Sequence, residues 1–150
     1  MTQSLAVNLI HLVYGTKDRI ACLSDGIRPG LFAFKAGILK QWESPALIIG
    51  GTADHVHILF SLSRNHALKT IVEHVKKGSS KWLKAKEPRL HGFLWQAGYG
   101  AFSVSSSNVE RVGRYIKDQQ EHHRNRSYTE EFRELLRRHG VSFDERYVLD

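Results

Sequence analysis

The sequence predicts an α+β fold, a ferredoxin-like (RRM-like) split βαβ arrangement. A four-stranded antiparallel sheet carries two helices on one face, and extra C-terminal helices follow. Three observations predict it. Strand-like and helix-like periodicities alternate in the order β-α-β-β-α-β-α-α. The 150 residues suffice for one domain with its own core. No repeat, low-complexity tract or long linker divides the chain, so residues 1–150 read as a single domain.

Each element has its own signature. Residues 5–14 carry Leu, Val and Ile on both sides of the pleat, the pattern of a central strand covered on both faces. Residues 15–28 are polar and turn-rich. From 29 to 43, Leu31, Phe34, Ile38 and Trp42 recur at helical spacing, and Pro29 stands near the start. PALIIG (45–50) reads as a second strand, and Gly50, Gly51 and Asp54 turn the chain into a third at 54–62. In that strand Val56, Ile58, Phe60 and Leu62 form one apolar face. His55 and His57 share the other with Leu59 and Ser61.

A second helix, 66–86, has the apolar stripe Leu68, Ile71, Val72, Val75, Ser79, Trp82 and Leu83, with Lys69, Lys76, Lys77, Lys81 and Lys84 off it. The aromatic and glycine-rich stretch 93–105 fits a fourth strand. A third helix follows the Ser-Ser-Ser-Asn cap at 105–108 and runs to about 123. Val109, Val112 and Ile116 set its buried stripe, and Gly113 lowers its local stability. A last helix, 129–139, stops at Gly140.

Charge and cysteine content narrow the function. A net charge of +7 and a pI near 9.7 favour a polyanionic partner, nucleic acid being the commonest. The single cysteine, Cys22, excludes an internal disulfide and suits a reducing compartment. It has no basic or His neighbour in sequence and reads as a buried spectator, not a nucleophile. Asn8 and His11 interrupt the N-terminal apolar stretch, which therefore reads as a strand and not as a signal peptide or membrane span. A cytoplasmic location is expected.

Chemistry concentrates in two places. His55 and His57 point the same way from a rigid strand and make half of a metal site. Alone, such a pair is more often a hydrogen-bonded surface feature. Hydrolase sites that open with His-x-His continue with an acidic residue and a further His, where this chain has Ile58, Leu59 and Phe60. The second place is ERVGRYIKDQQEHHR (110–124). Tyr115 and Gln119 are four residues apart and stack on one helix face, a phenol beside a carboxamide oxygen. Arg111, Arg114 and Lys117 surround them with the positive charge a phosphodiester needs.

Tyr14 and Tyr99 lie in strand-like surroundings, and Tyr128 and Tyr147 lack a ligand-like neighbour one turn on. His122 and His123 are rival ligands one turn beyond Gln119. Lys76, Lys77 and Lys81 read either as nucleic-acid contacts or as a solvated helix face. A tyrosine can attack a phosphodiester and hold one strand end covalently. Imidazoles with an amide oxygen and open positions suit Mg²⁺ or Mn²⁺.

The chain resembles the single-tyrosine HUH transposases of small bacterial insertion sequences, which move as single-stranded DNA. The matching pieces are HLVYGTKDR (11–19), ADHVHILFSL (53–62), LWQAGYGAFSVS (94–105), YIKDQQEHHRN (115–125) and FDERYVLD (143–150), in the family's order over almost the whole chain. The resemblance implies His55, His57 and Gln119 as metal ligands and Tyr115 as nucleophile. It also implies a homodimer with a continuous sheet and composite sites, the tyrosine helix of one subunit meeting the histidines of the other. The implied substrate is a single-stranded DNA hairpin near the element's ends. Relaxases, which place the tyrosine before the histidines, and multidomain replication initiators fit less well. The alternatives are a domesticated nuclease acting on repeated palindromes and a non-catalytic single-strand-binding module.

Overall fold

In the computed structural model, which describes residues 2–150, four strands form one antiparallel sheet in the order β2-β3-β1-β4. The strands are β1 (Leu9–Gly15), β2 (Ala46–Gly51), β3 (His55–Ser61) and β4 (Gly100–Val104). Between them run α1 (Arg28–Gln41) and α2 (Leu68–Lys86). The split βαβ arrangement is therefore present. Beyond β4 come α3 (Val109–Lys117), the single turn α4 (Gln119–His122) and α5 (Tyr128–Arg138).

Side-chain alternation divides the core into two layers. Ile10, Leu12, Tyr14, Val56, Ile58 and Phe60 face α1 and α2. Val13 and Phe102 face the opposite way, where Tyr128, Phe132, Leu135 and Leu136 of α5 cover them. His11, His55 and His57 belong to this second layer by parity. Covering both faces explains why every residue of β1 is buried.

Several boundaries differ from the sequence expectation. Residues 2–8 are exposed and outside the sheet, with Leu5 and Val7 largely solvated. The fourth strand is shorter, because residues 93–99 form a loop that meets the end of β1 through the Thr16–Trp95 bridge and the hydrogen bonds between Gln96 and Gly15. In α1 the buried residues are Arg28, Leu31, Lys35 and Leu39, not the stripe through Phe34, Ile38 and Trp42. Phe34 and Trp42 instead stack along the seam with α2, on Trp82 and His74. The third helix breaks at Asp118 (φ −94°, ψ 23°), so Tyr115 and Gln119 lie on successive helices. Cys22 is half-buried and unpaired.

The second layer depends on one close approach. Gly50 pairs with His57 across the β2–β3 ladder, and any Cβ at Gly50 would collide with the Ile116 carbonyl. The missing side chain lets α3 lie directly on β2 beside the histidine strand. α5 is seated by Ser127, whose hydroxyl accepts from the Glu130 amide at 3.2 Å, and ends before Gly140 at φ +67°.

Candidate active site

β3 delivers His55 and His57, both fully buried, with ring centroids 5.2 Å apart. Each ring is anchored from behind. His55 Nδ1 lies 2.7 Å from Asp54 Oδ1 and 3.0 Å from Thr52 Oγ1. His57 Nδ1 lies 2.8 Å from His11 Nε2 on β1. Both Nε2 atoms are thereby turned toward α4 and α5, as is usual for imidazoles that hold a cation. Gln119, also buried, brings its Oε1 to 2.8 Å from His55 Nε2.

The centre of the cluster is a residue the sequence reading missed. Glu131 of α5 is fully buried, and its Oε1 lies 3.0 Å from His57 Nε2, 3.3 Å from His55 Nε2 and 2.9 Å from His123 Nε2. Its Oε2 accepts from the Tyr115 hydroxyl and, at 3.1 Å, from Gln119 Nε2. The Tyr115 ring sits 5.7 Å from His57 of the same chain and stacks on His122. Arg126 places Nη2 3.3 Å from the Tyr115 oxygen and also pairs with Glu134. Tyr128 stacks on His55 at 4.6 Å, and its hydroxyl donates to Gln96 Oε1 at 2.6 Å. That carboxamide oxygen also accepts from the Gly15 amide at 2.6 Å.

Electrostatics follow from these contacts. Burial alone would lower the His55 pKa, but hydrogen bonds with Asp54 and Glu131 outweigh it and raise it to about 9. For His57 burial wins, and the pKa falls to about 4. Burial would raise the Glu131 carboxyl, yet bonds from His123, His55 and His57 hold it far below the usual carboxylate range. The Tyr115 phenol is pushed up by burial and then by the Glu131 charge beside it, with Arg126 opposing.

The donor set fits a divalent cation. His55, His57 and Glu131 offer three ligand atoms that lie within 4.8 Å of one another. Adjacent ligands on an octahedral ion with bonds of about 2.1 Å stand about 3.0 Å apart. The spacings of 2.8, 3.0 and 3.3 Å among the His55, His57, Gln119 and Glu131 atoms match that edge.

The remaining candidates separate. Arg111, Arg114 and Lys117 are exposed on the helix that carries Tyr115. Lys77 and Lys81 are exposed on α2, across the sheet from the histidines. Lys76 is different, because its ammonium donates to the carbonyls of Gln96 and Gly98, both at 2.7 Å, and lies over the Tyr14 ring. Tyr14 is core, and Tyr147 is exposed. No Glu131 motif precedes it in sequence; the one hint was a glutamate on the apolar-periodic face of the last helix.

Fold and site together define a split βαβ domain whose sheet presents a buried His–His–Gln–Glu cluster to a tyrosine. The chain belongs to the IS200-like transposase family, whose model matches residues 6–119. It is 26% identical over 114 residues to the ISDra2 transposase TnpA of Deinococcus radiodurans, covering 73% of this chain and 81% of that protein. A crystal structure of a Deinococcus radiodurans transposase shares the fold at TM-score 0.65 and 24% identity, covering 79% of this chain and 98% of the other. A REP-associated tyrosine transposase bound to a REP hairpin shares it at TM-score 0.58 and 11% identity, covering 79% and 72%. Among the described residues no helix is long and apolar enough to cross a membrane.

Proposed function

We propose that the protein cleaves and rejoins single-stranded DNA at insertion-sequence ends through a 5′-phosphotyrosine intermediate. Tyr115 is the nucleophile, and His55, His57 and Gln119 hold Mg²⁺ or Mn²⁺. The observation that carries the reading is the convergence of two imidazoles, a carboxamide oxygen and the Tyr115 hydroxyl on one buried point. A bound divalent cation would polarise the scissile phosphate, stabilise the leaving 3′ oxygen and offset the Glu131 charge that suppresses Tyr115 ionisation.

The residues divide the work. The Tyr115 oxygen attacks phosphorus and the P–O3′ bond breaks; the phenolic proton passes to water, and the leaving 3′ oxygen takes a proton from water. The bond energy stays in the phosphotyrosine, so attack by a 3′ hydroxyl reverses the step and rejoins DNA without ATP. Asp54, Thr52 and His11 fix the imidazole orientations. Arg126, beside the phenol, pairs with phosphate oxygens. Arg111, Arg114 and Lys117 line the strand's approach on α3, and Lys77 and Lys81 offer a second basic track on α2.

A hairpin substrate is supported by the fold shared with the transposase bound to a REP hairpin. Incubation with single-stranded DNA from the element's genomic flanks and Mg²⁺, followed by a denaturing gel, tests the reaction. A covalent adduct is expected, lost in Tyr115→Phe and on chelation; equal cleavage by Tyr115→Phe would sink the assignment. The resemblance implies a homodimer with composite sites, whereas here Tyr115 meets the histidines of its own chain; mixing Tyr115→Phe with His57→Ala chains separates the two arrangements, since restored cleavage marks a site shared between subunits.

A further inference from the structure

We propose that Glu131 is a further metal ligand of this centre, and that its second oxygen positions the nucleophile of the same chain. The inference rests on the metal-dependent reading above and adds a residue that lies outside the family match, which ends at Gln119. α5, which carries Glu131, is held against the sheet by the buried side chains Phe132, Leu135 and Leu136.

Three observations converge on this role. Glu131 Oε1 stands at cis-ligand spacing from both strand imidazoles, 3.0 Å from His57 Nε2 and 3.3 Å from His55 Nε2. Those imidazoles present Nε2 to it because Asp54 and His11 occupy their Nδ1 atoms. With both imidazoles deprotonated to bind, the His–His–Gln set brings no charge of its own to a divalent ion, and Asp54 reaches the ion only through the His55 ring. Glu131 supplies the negative charge that set lacks and lowers the cost of desolvating the ion.

The two carboxylate oxygens serve different partners. Oε1 faces the imidazoles, and Oε2 accepts from the Tyr115 hydroxyl. One rigid side chain thus fixes the distance between the cation seat and the attacking oxygen, both in one chain.

Calorimetric titration of the full-length, DNA-free protein with Mn²⁺ tests the proposal. Glu131→Gln, confirmed folded by circular dichroism, is expected to bind Mn²⁺ at least tenfold more weakly than wild type, and His57→Ala to be weakened as well. Wild-type affinity in Glu131→Gln beside loss in His57→Ala would overturn the Glu131 role and leave the metal centre standing. Unchanged affinity in His57→Ala would overturn the metal reading itself. A crystal of the wild-type protein soaked in Mn²⁺ needs no variant. An anomalous peak about 2.1 Å from Glu131 Oε1 is expected, and a peak coordinated by the histidines without Glu131 would refute the proposal.

Discussion

Lys35 shows how far a single side chain can depart from its type. It is fully buried beneath α1, its ammonium bonded to the Tyr14 hydroxyl and 3.3 Å from Ser79 Oγ, and burial drives its pKa well below 10.5. The unfolded chain then binds a proton that the folded chain does not, between the depressed pKa and 10.5, so this residue's contribution to stability rises with pH across that window. Urea melts at pH 7 and pH 9.5 should show a pH-dependent stability difference between wild type and Lys35→Met. An identical pH response in both proteins would refute the assignment. Lys35 also explains the misplaced α1 stripe, because hydropathy excludes a lysine from the core and selects Phe34, Ile38 and Trp42 instead. That His55 and His57 share one face was legible because strand alternation sets it, whereas Tyr115 and Gln119, expected on one helix, lie on successive helices and both reach Glu131. Glu131 and Arg126 were not, since only tertiary packing of α5 and its preceding loop brings them to β3.

At the level of elements, the seating of α3 on β2 is what brings Tyr115 to the histidines. Gly50→Ala would push the Ile116 carbonyl away, costing about 1–3 kcal/mol of stability by overpacking. It should reduce covalent adduct formation more than it reduces hairpin binding, because Tyr115, the proposed nucleophile, shifts while the basic helix face stays intact. Quantifying both on one preparation checks this, and an unchanged adduct yield would argue against the close approach. The four strands and the α1/α2 layer were legible from period-2 and helical patterns. The end of α3 was not, because no Pro or Gly marks the break at Asp118, whose backbone leaves helical values (φ −94°, ψ 23°).

For the whole molecule, exposed basic residues divide between the two faces of the sheet. Arg111, Arg114 and Lys117 stand on the side of the cluster, Lys77 and Lys81 on the opposite side. Each lysine or arginine that contacts phosphate should lower the salt dependence of DNA affinity by about one when removed. Arg111→Ala with Arg114→Ala is expected to flatten the slope by about two, and Lys77→Ala with Lys81→Ala reports whether the strand also crosses α2. A slope unaltered by the arginine pair would move the DNA path off α3. Net charge alone signalled an anionic partner, but it carried no information on which side of the sheet that partner meets.

The loop before β4 links these two sides. Gln96 gives its main-chain carbonyl to Lys76 of α2 and its side chain to Gly15 and Tyr128, and Tyr128 lies flat on His55. Asp150 closes the same loop, its main-chain carbonyl accepting from the Gly98 amide at 2.8 Å. Gln96 therefore links the α2 surface, through its main chain, and the ring stacked on His55, through its side chain, to one loop. Replacing Gln96 by leucine should loosen the Tyr128 ring stacked on His55 and, on the proposed mechanism, slow covalent adduct formation, a gel assay being the check.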